Sequence, residues 1–206
     1  MKSVKSQQNS YRIKNSIFTF LKKYKTYIVT LSIALVIGIV TGIFTCSRYA
    51  DVITISNIPD KNLVKFLCGD RGGIGLFFNY FICYSLLIAA IIFLNNSLIL
   101  NLINYVYYFV LGYILGFTIF ALIALFSFVG ILNGLLVILP FALILYVILI
   151  ILSSLAIYRY KIYKKYGCTI GNTNYTKVYL IMYACFVLVL LIWCFVLPLI
   201  KITIIV

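Results

Sequence analysis

Three aspartates, Asp51, Asp60 and Asp70, are the only acidic side chains among 206 residues, and the chain has no histidine at all. General acid–base catalysis needs ionisable groups held within hydrogen-bond reach of a reacting atom. These three fall in one polar stretch, Ser47–Gly75, as loop carboxylates for which plain solvation is the ordinary condition. Six cysteines include no Cys-x-x-Cys pair, and without histidine this leaves zinc no usual ligand set. Cys83, Cys185 and Cys194 lie inside apolar runs, where cysteine behaves as a small hydrophobe. Cys46 and Cys68 are the two that could meet across the polar stretch. No nucleophile sits beside a base and no glycine loop is built to cradle phosphate, so the sequence predicts no enzyme, no cofactor and no metal.

The remaining residues of special type bear on packing. Gly38 and Gly42 form one small-x-x-x-small pair, and Gly112 and Gly116 form another. Each pair puts two positions without side chains on one helix face, where a second backbone can come close, whether from this chain or from a partner helix. Pro140 lies inside an apolar run and predicts a helix kink, because it removes one backbone hydrogen bond. No charged residue accompanies it at membrane depth, and intramembrane ionisable groups are what mark an ion path. Asn79, Ser85, Asn104, Thr118 and Asn133 suit hydrogen bonds between helices. Tyrosines clustered at Tyr105–Tyr108 and Tyr158–Tyr160 suit belts at headgroup level.

The elements that must position these residues follow from composition. Apolar residues make up 65% of the chain and charged residues 10%, against roughly a quarter charged in a soluble domain. Uninterrupted apolar runs exceed the ~20 residues that cross a hydrocarbon core. The fold class predicted is therefore all-α: a polytopic helical bundle in a membrane, with about five transmembrane helices. They are expected near 26–46, 76–94, 104–129, 135–157 and 178–200. A buried lysine costs about 2.5 to 3.5 kcal/mol at mid-membrane, so charge-free length decides each assignment. The almost unbroken apolar run from Leu98 to Tyr158 must double back, and Gly130–Gly134 is the expected turn. Residues 47–75 form the expected outer loop, carrying Asp51, Asp60, Asp70 and Arg71, and 158–177 a basic cytoplasmic loop. Residues 1–25 form a lysine-rich arm whose composition fits both a helix lying on the membrane surface and a solvated tail.

The net charge of +14 does not indicate nucleic acid, because the cations cluster beside apolar segments instead of along a groove-sized face. They read as topology signals facing the lipid bilayer. With five crossings, twelve cations share the side of the amino terminus and five the other. The positive-inside rule then places the N-terminus in the cytoplasm and the C-terminus outside.

The run Phe109–Val110–Leu111–Gly112–Tyr113–Ile114–Leu115–Gly116–Phe117–Thr118, the segment Gly130 to Gly134 and then Leu139–Pro140 together resemble the stage II sporulation protein M family of bacterial membrane proteins. The likeness extends loosely back to Leu21–Tyr27 and to Thr41–Gly42–Ile43–Phe44. It implies a five-span protein of the bacterial cytoplasmic membrane, working in sporulation and engulfment. There it would be a noncatalytic scaffold in the cell envelope, anchoring the peptidoglycan hydrolases known as stage II sporulation proteins D and P. Phe141–Ala142–Leu143 follow Pro140 where many relatives place polar or acidic residues, so a role resting on that cluster does not carry over. The alternative expectation is a permease-like subunit of a transporter that works with a separate ATPase.

Overall fold

In the computed structural model, residues 2–54, 58–67, 73–94, 98–166 and 172–200 are described. With no water to hydrogen-bond its backbone, an apolar chain satisfies its N–H and C=O groups internally as helix. Helix α1 spans Lys2–Arg48, α2 Lys61–Leu67, α3 Gly73–Leu94, α4 Leu98–Leu132, α5 Leu139–Tyr166 and α6 Asn172–Ile200. A 3-10 turn, Ala50–Val52, follows α1, a π-helical turn, Asn133–Ile138, joins α4 to α5, and no strand occurs among the described residues. Four helical runs are long and apolar enough to cross a membrane: Tyr24–Arg48, Gly73–Ile91, Leu102–Tyr158 and Lys177–Phe195.

The third of these runs has 57 residues, and as one straight helix it would extend roughly 85 Å. It is broken at Ser127, whose φ of 47° and ψ of −120° are not helical. This is the backbone of the first central residue of a type II′ turn, a position that glycine normally fills. Two hydrogen bonds show the chain doubling back around it. The Tyr108 and Ser153 hydroxyls lie 2.8 Å apart, and Tyr146 Oη donates to the Leu111 carbonyl at 3.3 Å. As residue numbers rise on α4 they fall on α5. The turn therefore sits at Ser127, ahead of the expected Gly130–Gly134. Those residues are helical, and Gly130 serves close packing, since a methyl added there would lie 2.0 Å from the Leu122 carbonyl oxygen.

Contacts fix the direction of the other helices. Facing positions advance together along α1 and α4, from Gly38 with Phe109 and Tyr113 to Gly42 with Tyr113 and Phe117, so these two run parallel. Tyr80 meets Trp193, Tyr84 meets Phe186, and Ser85 hydrogen-bonds Tyr183 at 2.9 Å, so α3 and α6 run antiparallel. Tyr158, late in α5, stacks edge-on against Tyr24 of α1 with ring centroids 4.9 Å apart.

Three further expectations change in detail. The basic arm and the first apolar run form one continuous helix, α1. Pro140 is the second residue of α5, directly after the π-helical turn, where the Leu139 N–H reaches back to Gly134. A widened turn relieves the clash between a proline ring and the carbonyl four residues earlier. The 47–75 stretch is not simply an exposed loop: Ile53, Ile58, Leu63, Val64 and Leu67 are buried in it. Cys46 is buried, and Cys68 lies outside the described residues.

Candidate functional site

Helix α4 has one face closed by glycines and another lined with large residues. On the closed face, methyls added at Gly38, Gly42, Gly112 and Gly116 would lie 2.1, 2.3, 2.1 and 2.2 Å from carbonyl oxygens of Phe109, Tyr113, Leu35 and Ile39. Each pair thus fits against the other helix's backbone, at a separation no side chain permits. The structure brings all four glycines into one α1–α4 contact, with no partner molecule needed to occupy them.

The other face borders a cavity of about 430 Å³, walled by α3, α4 and α5 and bordered at one end by Pro59, Asp60, Asn62, Leu63 and Trp193. Its volume lies within the roughly 300–1,000 Å³ of ordinary small-molecule sites. Asp60 sits at this end as the residue before α2. Its Oδ1 accepts a hydrogen bond from the Leu63 N–H at 3.2 Å, which is the N-cap arrangement that satisfies an orphan donor of the first helical turn. Its Oδ2 accepts from the Tyr80 hydroxyl. One carboxylate therefore starts α2 and ties it to α3. Burial pushes the Asp60 carboxyl above its ordinary range, against the opposing pull of the Tyr80 and Leu63 hydrogen bonds. Removing a charged group from water favours its neutral form.

Aromatic rings surround this carboxylate. Trp193 stacks flat on Phe141 at 3.9 Å, meets Tyr80 edge-on at 5.6 Å, and donates its indole N–H to the Val137 carbonyl at 3.4 Å. Tyr80 lies 5.9 Å from Tyr84. Tyr146 and Tyr107 complete the tyrosine lining. Two buried hydroxyls in the wall have no hydrogen-bond partner among the described residues, Thr118 Oγ1 and Tyr107 Oη. Thr118 is 2% exposed.

Of the other residues singled out by sequence, Asp51 is exposed on the 3-10 turn, and Asp70 and Arg71 lie outside the described residues. Asp60 is drawn into the bundle by Tyr80, so simple solvation does not describe it. The tyrosines of Tyr105–Tyr108 do not all form a belt, since Tyr108 is fully buried and Tyr107 lines the cavity. Sequence reasoning missed Tyr80, Tyr84, Tyr146 and Trp193. A signal existed in α3, where Tyr80, Tyr84 and Leu87 recur at helical spacing and so share one face.

Among the described residues no three histidine, cysteine or acidic side chains converge on a common point. The arrangement has the makings of a binding chamber: a walled apolar space, a carboxylate with aromatic neighbours at one end, and two hydroxyls able to accept or donate. No protein-family model, curated protein or solved structure matches the chain.

Proposed function

We propose that this is a noncatalytic scaffold of the bacterial cytoplasmic membrane, of the stage II sporulation protein M type, which crosses the bilayer five times. In this reading the break at Ser127 divides the 57-residue run into two crossings. Directions then alternate along the chain, as parallel α1 and α4 and antiparallel α3 and α6 require. The N-terminus is cytoplasmic by the excess of cations on its side. Reporter fusions at Met1 and Val206 are expected in opposite compartments, and finding both in one compartment overturns the topology.

The observation that carries the scaffold role is the packing of the described residues between α1 and α3: residues 58–67 are held to the bundle by the Asp60–Tyr80 bond and buried Ile58, Leu63, Val64 and Leu67, and the 49–54 stretch is anchored by buried Ile53. Tyr49, Asp51 and Val52 remain exposed on it. An aromatic, an acid and a valine exposed just beyond the end of α1 are suited to contacting a partner, and presentation from a folded helix end lowers the ordering cost of binding. By family resemblance, that partner is a peptidoglycan hydrolase such as stage II sporulation protein D or P. Pull-down from detergent-solubilised cells is expected to recover an envelope hydrolase with the intact protein and to lose it with Val52→Asp. Recovery of no hydrolase with the intact protein overturns the role.

A second reading, a permease-like subunit paired with a separate ATPase, is favoured by the cavity itself. Its mark would be co-purification of an ATPase that responds to nucleotide.

A further inference from the structure

The cavity follows α4. Along α4 it extends from Tyr107 to Thr118, eleven residues or roughly 16 Å of helix. Its 430 Å³ lies toward the small end of the roughly 300–1,000 Å³ of small-molecule sites. Most of its wall is aliphatic, with Leu87, Val110, Ile114, Leu115, Ile138 and Leu145 contributing. It also has a side opening. Cys83 on α3 and Val110 on α4 both line it, and both are exposed, Val110 to 43%. In a membrane-embedded bundle, that opening faces lipid.

The end near α2 has different chemistry. Asp60 is partly buried, and its two described hydrogen-bond donors, a phenol and a backbone amide, are both uncharged. A carboxylate withdrawn from water is stabilised by a cation far more than by neutral donors. Tyr80, Trp193, Phe141 and Tyr84 supply aromatic surfaces around it, and aromatic faces attract ammonium groups. Thr118, more than nine-tenths buried and without a partner among the described residues, adds a hydroxyl to the same wall. It lies at the end of the α4 lining toward which α1 and α4 both run, the end at which α1 stops and the 3-10 turn follows.

We propose that the cavity binds an amphiphile with one hydrocarbon chain in the space between α3 and α4 and an ammonium head against Asp60 and its aromatic neighbours. The proposal rests on the membrane-embedded reading above and is independent of the scaffold role. An ethanolamine-headed bilayer lipid and a free cationic amphiphile share this chemistry.

Trp193 is the only tryptophan in the chain and lines the cavity at the proposed head end, so its fluorescence reports occupancy. The test uses the purified full-length protein in maltoside micelles, titrated with single-chain amphiphiles of equal length brominated in mid-chain. Their heads are trimethylammonium, sulfate or maltoside. The ammonium compound is expected to quench Trp193 at about tenfold lower concentration than the other two, as fits one ion pair and one cation–π contact. Asp60→Asn is expected to bring the three together. Equal quenching by all heads in the unaltered protein, or an ammonium preference that survives Asp60→Asn, overturns the proposal.

Should Asp60→Asn fail to fold, Val110→Phe keeps the test alive, because this exposed rim position disturbs no core. It is expected to weaken quenching by every head, and unchanged quenching would mean that the chain does not enter between α3 and α4. Vesicles with brominated chains then separate the sources. Quenching by phosphatidylethanolamine above phosphatidylglycerol identifies a bilayer lipid, and quenching by the micellar ammonium compound alone identifies a free amphiphile. If quenching fails while the terminal reporters still lie in opposite compartments, the ligand is lost and the membrane reading stands.

Discussion

The two sides of helix α4 solve opposite problems with the same backbone. Toward α1, glycines at Gly112 and Gly116 meet Gly38 and Gly42, and the helices approach until main chain touches main chain. Toward α3, the matching positions are Tyr107, Val110, Ile114 and Thr118, and a cavity remains. α3 packs instead on α5 and α6. In lipid, hydrocarbon tails are as apolar as leucine, so helix pairing depends on close fit and hydrogen bonds more than on burial itself. Small residues supply that fit, and the side chains on the opposite face leave α3 at a distance.

The largest effect expected from this contrast is at the glycine contact. Gly112→Leu would drive a side chain into the Leu35 carbonyl, 2.1 Å from the first added atom. Backbone cannot swing aside as a side chain can, so the helices must separate. The loss should reach about 3 kcal/mol or more, at or beyond the upper end of ordinary overpacking. Thermal unfolding in detergent measures it. Gly75→Leu is the matched control, since an added methyl there meets nothing within 4 Å. Equal destabilisation by the two would dissolve the distinction between the faces.

A smaller effect is expected where α4 meets α5. Tyr108→Phe removes the buried 2.8 Å bond to Ser153, at a cost of about 1 kcal/mol. Tyr146→Phe breaks a longer contact of 3.3 Å and should cost less. If the ranking is reversed in the same melting assay, the hydroxyl pair is not what holds this hairpin.

Much of the tight face was legible in sequence because its signal is local: four-residue spacing of glycines places them on one face wherever the helix goes. That Gly38 and Gly42 meet Gly112 and Gly116, with α1 and α4 parallel, is a property of the folded bundle and no window of sequence contains it. The turn between α4 and α5 misled for a related reason. Gly130 and Gly134 look like a turn, yet Gly130 is used for its missing side chain, while Ser127 takes the strained angles. Tertiary closure can impose such a conformation on a serine at a cost of order 1–3 kcal/mol. Asp60 was visible as a loop acid. What draws it inward is Tyr80, twenty residues away, and nothing in the spacing announces that pair.

On the open face the sign of a substitution becomes informative. Thr118→Val keeps the shape and deletes a buried hydroxyl that has no partner among the described residues. An unsatisfied buried polar group is unfavourable, so this change should be neutral or stabilise by up to about 1 kcal/mol. The same change at a bonded hydroxyl would destabilise. A clear loss of stability in detergent would mean that Thr118 is held by something within the protein, and the cavity would lose one of its two unpartnered groups.

The subtlest test concerns the lid of that cavity. Burial raises the Asp60 carboxyl above its usual range, so between its unfolded and folded titration points the native state holds a proton that the unfolded chain releases. Stability from this group is then fully present below the ordinary carboxylate range and is lost as pH rises through the raised value. A side-chain amide in its place does not titrate and carries no such dependence. In paired melts across mildly acidic to neutral pH, the Asp60→Asn protein should gain on the unaltered one as pH increases. Parallel curves would place Asp60 in water, detach α2 from α3, and leave the open face of α4 without its charged end.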